Sequence, residues 1–161
     1  MIRAAVVTVS DRSFRKERSD GSGPAVAALL ASLPASVEQR VVIPDEVEFI
    51  RRTLRHFSDV LGLDLVVTTG GTGVAPRDVT PEATLEVLDR EIPGMAEAMR
   101  AGSLRKLSNA MLSRAVAGVR GRTLIVNLPG SPGGARENLE EILSVIPHAV
   151  GKIRDEGGDC A

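Results

Sequence analysis

Aromatic side chains are nearly absent. The 161 residues hold three Phe, no Tyr and no Trp, which argues against a stacking platform for nucleic-acid bases or sugar rings. Cysteine is as scarce. Cys160 stands alone next to the C-terminus, so neither a disulfide framework nor a thiolate metal site can be built. Net charge is lacking too: 20 Lys and Arg face 21 Asp and Glu, leaving −1 at pH 7. Bulk electrostatic binding of nucleic acid does not fit that balance. Long apolar runs are missing. The run Ala4 to Val9 is far shorter than a membrane span and lacks a signal-peptide layout. These absences predict a cytoplasmic protein with no membrane or nucleic-acid partner.

What remains is an ordinary globular balance, 43% hydrophobic and 25% charged, at a length that suits one domain over 1–161. Val-rich apolar runs predict strands at Ile2 to Val9, Val37 to Ile43, Leu63 to Thr68 and Thr123 to Leu128, with a further strand near Arg114 to Val119. Ser10 to Gly23 reads as a loop. Helices are predicted after Pro24, over Glu46 to Leu61, from Thr80 to about Arg90, from Pro93 to about Ser103, and from Ala135 to about Lys152. The Asp45 to Glu48 spacing matches a helix start, and Thr80-Pro81-Glu82 reads as a cap, a first-turn Pro and an early acid. Residues 155–161 read as a frayed tail. Strand and helix alternate. That predicts an α/β fold, a mostly parallel mixed sheet sandwiched by helices. In such sheets ligands bind at the carboxyl ends of strands.

The unusual sequences lie just there. Thr68 to Asp78, T-T-G-G-T-G-V-A-P-R-D, is glycine-rich and carries the hydroxyls of Thr69 and Thr72. Its glycines, Gly70, Gly71 and Gly73, let backbone N–H groups converge on an anion such as phosphate. The pattern is neither the dinucleotide fingerprint nor a Walker loop, because no Lys follows. Asp45 and Asp78 each leave a strand and precede a helix. With no thiolate and only His56 and His148 available, two such carboxylates favour a hard cation, Mg²⁺ where phosphates are present. Each acid also has a plainer reading, helix capping for Asp45 and turn stabilisation for Asp78. Ser10, Asp11 and Arg12 leave the first strand, and Arg12 or Arg77 can neutralise phosphate. Pro129, Gly130 and Ser131 form a second rigid turn into a helix, where N–H groups can meet an anion.

Together these segments resemble the MogA/MoaB-type molybdopterin-binding proteins of molybdenum cofactor biosynthesis. The resemblance rests on T-V-S-D-R at 8–12, D-G-S-G-P at 20–24, P-D-E at 44–46, T-T-G-G-T-G at 68–73, R-D-V-T-P-E-A-T at 77–84 and L-P-G-S-P at 128–132. It implies a mixed-sheet α/β fold and a homotrimer. In the MogA branch it implies a molybdopterin adenylyltransferase, which joins AMP from Mg-ATP to the terminal phosphate of molybdopterin and releases pyrophosphate. The product then passes to the molybdate-insertion enzyme. The catalytic, metal-holding acids of that branch correspond to Asp45 and Asp78. Molybdopterin and ATP would be held by Ser10, Asp11, Thr69, Gly70, Gly71, Thr72, Gly73, Pro129, Gly130 and Ser131. The competing readings are a non-catalytic MoaB-like scaffold and an unrelated Mg-dependent phosphohydrolase.

Overall fold

A computed structural model describes residues 1–156; Cys160 and the rest of the expected tail from 157 onward lie outside them. In chain order the elements are β1 (Ile2–Val9), α1 (Asp11–Phe14), α2 (Ser22–Leu30), β2 (Ala35–Ile43), α3 (Val47–Arg55), β3 (Leu65–Thr69), α4 (Thr80–Val87), β4 (Arg90–Glu91), α5 (Pro93–Leu104), β5 (Ala117–Arg120), β6 (Thr123–Leu128), α6 (Pro132–Ile142) and α7 (Ile146–Ile153).

One six-stranded sheet runs in the order β2-β1-β3-β6-β5-β4. β2, β1, β3 and β6 are parallel, while β5 runs antiparallel to both β6 and β4. The expected mixed, mostly parallel sheet is therefore present. The chain leaves β1 toward β2 and returns to place β3 on the other side. The crevice at the carboxyl ends of β1 and β3 is thus a topological switch point, where such sheets take their ligands.

Strand periodicity divides the core. Ala4 and Val6 face Val26, Leu30, Met99, Leu139 and Ile146 from α2, α5, α6 and α7. Ala5 and Val7 face Ile50, Leu54, Phe57, Ala83 and Val87 on the α3 and α4 side. Both faces of the inner strands are covered, which is why they read as continuous apolar runs.

Several boundaries differ from expectation. The Ser10 to Gly23 loop contains α1, a single turn capped by the Ser10 side chain, which accepts from Ser13 N–H. The helix after β2 ends at Arg55 and continues as one widened turn, His56 to Val60. α4 stops at Val87, short of Arg90. The last helix is broken, because Pro147 offers no N–H to the carbonyl four residues back; a tight turn at Leu143 to Val145 separates α6 from α7.

Candidate active site

The segments singled out in the sequence converge at the carboxyl edge of the sheet. Asp45 follows β2 and Asp78 follows β3, and those strands are not neighbours: β1 lies between them. The loops nevertheless cross that gap. Ser10, Asp11, Asp45, Thr69, Gly70, Gly71, Asp78, Gly130 and Ser131 all line one hollow of about 650 Å³. On the other side of the glycine loop a second hollow, about 430 Å³, is lined by Thr72, Gly73 and Pro129. Gly71, Asp78, Gly130 and Ser131 belong to the walls of both.

Glycine is required at the seam. Gly70 has φ +103°, and a Cβ there would lie 2.2 Å from the Val9 carbonyl oxygen at the end of β1. Gly71 has φ +67°, and its Cβ would lie 2.3 Å from Thr80 Oγ1 and 3.1 Å from Asp45 Oδ1. A side chain at Gly70 would have to move backbone, and one at Gly71 would have to displace the Thr80 side chain. The second turn packs on the first: Thr69 Oγ1 donates to the Pro129 carbonyl at 2.6 Å, and Gly70 N–H donates to that of Leu128 at 3.0 Å. The Thr69 hydroxyl is thereby committed to joining the two loops. Ser131 caps α6, accepting from Gly134 N–H at 3.1 Å.

The acids are held in different ways. Asp45 does not cap α3. The cap position is Glu46, and no side chain closes that helix end. Asp45 Oδ2 instead accepts Asp11 N–H at 2.8 Å, while Asp11 Oδ1 accepts Asp45 N–H at 3.0 Å. Arg77 grips Asp11 with two hydrogen bonds of 3.0 Å, so this guanidinium serves an acid rather than standing ready for phosphate. Arg12 does line the first hollow. Asp78 has the turn role: its Oδ2 accepts Ala75 N–H at 3.0 Å. That bond occupies one oxygen only and leaves the residue on the wall of both hollows.

Electrostatics separates neighbouring carboxyls. Burial pushes Asp45 up from the ordinary carboxylate value, and the charges of Asp11 and Asp78 push it further. Burial acts the same way on Asp11, but the Asp45 N–H and the Arg77 guanidinium outweigh it and hold Asp11 low. Asp45 is thus the carboxylate of the pair whose charge is less compensated by the protein. A cation beside it and Asp78 would relieve that. Among the described residues no cluster of three or more His, Cys, Asp or Glu forms a metal cage. Two carboxylates with oxygens to spare fit Mg²⁺, which is commonly held by one or two acids together with substrate phosphates.

The family model described as "Probable molybdopterin binding domain" matches residues 5–148. The chain belongs to this family. The Molybdopterin adenylyltransferase of Escherichia coli (strain K12) is 45% identical over 156 residues, covering 92% of this chain and 80% of the relative. The crystal structure of the molybdopterin biosynthesis enzyme MoaB from Thermus thermophilus superposes with a TM-score of 0.91 at 56% identity, covering 95% of this chain and 96% of that one. The Molybdenum cofactor synthesis protein cinnamon of Drosophila melanogaster is 39% identical over 156 residues, but this chain spans only 26% of its length.

Two residues have roles in this molybdopterin-binding fold that the sequence did not assign to them. Arg114 bolts the glycine loop to α4. Its Nε donates to the Gly73 carbonyl and its Nη2 to the Asp78 carbonyl, both at 2.7 Å, and it pairs with Glu82. It lies in the stretch of least periodicity, so nothing local marks it. Asn127 sits at the centre of a buried polar group, donating to Thr68 Oγ1 at 2.9 Å and Thr84 Oγ1 at 3.1 Å. A signal existed here: Asn127 is the one amide in the apolar strand T-L-I-V-N-L.

Proposed function

We infer that the chain is one molybdopterin-binding domain that acts as a molybdopterin adenylyltransferase, moving AMP from Mg-ATP to the terminal phosphate of molybdopterin and releasing pyrophosphate. The observation that carries the reading is the pair of hollows meeting at Gly71, Asp78, Gly130 and Ser131. A transfer between two anionic substrates needs both held with the attacking phosphate oxygen in reach of the α-phosphorus, and two hollows that meet at one seam offer that placement. Relatives named molybdopterin adenylyltransferase at 42–45% identity support it.

The nucleophile is a phosphate oxygen already charged, so no strong base is required. That suits a site whose histidines, His56 and His148, line neither hollow. The protein's contribution is placement of two anions and stabilisation of charge at the α-phosphorus. Backbone N–H groups of Gly71, Thr72 and Gly73 hold the molybdopterin phosphate, since that of Gly70 is taken by the Leu128 carbonyl. Ser10 and Asp11 position the substrates at the β1 edge. Asp45 and Asp78 would hold Mg²⁺, which would supply neutralisation of polyphosphate charge and of the charge on departing pyrophosphate.

The MoaB-like scaffold reading would use the acids only for their structural bonds, Asp45 to Asp11 N–H and Asp78 to Ala75 N–H. Here Asp45 is carried half-buried with its charge poorly compensated, a costly arrangement for a residue that caps nothing. The assembly that fits the family resemblance is a homotrimer in the cytoplasm, handing its product to the molybdate-insertion enzyme. Phe49 and Val60 line one hollow with Gln39 and Val41 of the edge strand β2, and Phe14 packs on Phe49; all three are exposed and leave apolar surface for assembly. Among the described residues no helix is long and apolar enough to cross a membrane.

Incubation of the protein with Mg-ATP, with and without molybdopterin, tests the reading. The expected product is molybdopterin increased by the mass of AMP minus water. ATP turnover without the pterin would point to a phosphohydrolase, and binding without turnover to a scaffold.

A further inference from the structure

Thr80 carries a buried hydroxyl without a hydrogen-bond partner among the described residues. The residue is 0% exposed. Its backbone is satisfied on both sides: Thr80 N–H donates to the Gly71 carbonyl at 3.1 Å, and its own carbonyl accepts Thr84 Oγ1 at 2.7 Å. Other fully buried threonines do better. Thr69, Thr84 and Thr123 donate to carbonyls, and Thr68 accepts from Asn127. An unpaired buried hydroxyl is uncommon and calls for a reason.

Its position supplies one. Thr80 Oγ1 and Asp45 Oδ1 both flank the bare Cα of Gly71, where a Cβ would lie 2.3 Å from the first and 3.1 Å from the second. Asp45 is anchored through its other oxygen, Oδ2, by Asp11 N–H. Turning about that anchor swings Oδ1 while Oδ2 stays held. The hydroxyl is therefore a buried, unpartnered donor near the carboxylate oxygen that the Asp11 N–H does not use.

We propose that Thr80 is a positioning residue: when Mg-ATP fills the hollow, its hydroxyl donates to Asp45 Oδ1 and fixes that carboxylate in the orientation that would hold the metal of the nucleotide. This deepens the adenylyl-transfer reading and rests on it for the identity of the substrate. Glycine at position 71 is what brings the two oxygens to one place.

Thr80→Val keeps the branched shape and deletes only the hydroxyl. A purely structural Thr80 predicts a variant at least as stable and fully competent. The proposal predicts a melting temperature no lower than that of the parent, Mg-ATP affinity by calorimetry about tenfold weaker, and kcat reduced roughly 10–100-fold, the range for losing a supporting hydrogen bond. Molybdopterin affinity should stay within about twofold, since its phosphate is held by backbone N–H groups. Thr80→Ser, which retains the donor, should recover Mg-ATP binding. Adding Thr80→Val to Asp45→Asn should cost no more than Asp45→Asn alone, because the hydroxyl acts through that carboxylate. Parent-like Mg-ATP binding in Thr80→Val would overturn the proposal. So would a Thr80→Ser as impaired as Thr80→Val, or full additivity with Asp45→Asn, or a parent protein that binds no Mg-ATP. If Mg-ATP binding follows the expected pattern but no adenylylated molybdopterin forms, the role of Thr80 stands and the adenylyltransferase reading falls.

Discussion

Asp11 and Asp45 exchange hydrogen bonds, each backbone N–H donating to the other's carboxylate at 2.8 and 3.0 Å. The exchange ties the end of β1 to the end of β2 and sets two acids side by side with opposite fates. Asp11 is neutralised by Arg77, while burial and its acidic neighbours disfavour the charged form of Asp45.

That difference predicts opposed effects on stability and rate. Asp45 has a raised folded-state pKa, so folding disfavours its charged form; stability falls as pH rises through the window above the ordinary carboxylate value. Asp45→Asn removes the charge and can still accept Asp11 N–H. It should melt no lower than the parent at neutral pH. Its adenylylation rate should drop by roughly two to three orders of magnitude, about 3–4 kcal/mol of transition-state stabilisation. Asp78→Asn should lose rate similarly while keeping its turn bond to Ala75. Melting temperature and rate, measured on the same samples, check both.

Gly71→Ala should be worse than a surface change. The added Cβ meets Thr80 Oγ1 at 2.3 Å and must adopt φ +67°. The left-handed conformation alone costs about 1–2 kcal/mol. Denaturant unfolding should show at least that loss, and a titration should show weakened molybdopterin binding.

Arg114→Met removes two hydrogen bonds to loop carbonyls, those of Gly73 and Asp78, and the ion pair to Glu82 on α4, while keeping an apolar stem. The expected result is faster amide exchange over residues 71–79 and weaker molybdopterin binding, with exchange in β1 and β3 unchanged. Unaltered exchange in the loop would show that the loop holds itself.

A fourth expectation concerns pH away from the site. Burial pushes Asp64 up, but hydrogen bonds from Arg154 and the Arg3 N–H, at 2.8 and 2.7 Å, hold it below its ordinary value of 3.8. A depressed carboxylate contributes stability above its unfolded pKa and loses it as pH falls through the folded one. Asp64→Asn should therefore cost roughly 1–3 kcal/mol at pH 7, with the gap to the parent closing only below about pH 4. Paired unfolding curves at pH 7 and pH 3 check it.

Much of this architecture is legible in the sequence because the inner strands are buried on both faces. Ala4 to Val9 and Leu65 to Val67 are short, Val-rich apolar runs, the pattern of strands buried in a parallel sheet. The glycine loop announces itself for a related reason: positive φ and close backbone approach leave glycine as the residue that fits. What local pattern cannot show is pairing across the fold. Asp45 and Glu48 have the spacing of a capping box, yet Asp11, 34 residues away, takes the Asp45 carboxylate instead. Thr80 looks like a helix cap but sits inside the first turn, with Val79 at the cap position. Arg114 reaches the loop from 36 residues beyond Asp78. For Asp45 and Arg114 a long-range hydrogen bond settles the role, and no short window of sequence contains both partners.

The most direct test of the central claim is the stoichiometry of the reaction. The parent protein with Mg-ATP and molybdopterin should release one pyrophosphate for each adenylylated molybdopterin formed, and none when molybdopterin is omitted. Pyrophosphate or inorganic phosphate appearing without the pterin, or molybdopterin bound but left unmodified, would contradict the account.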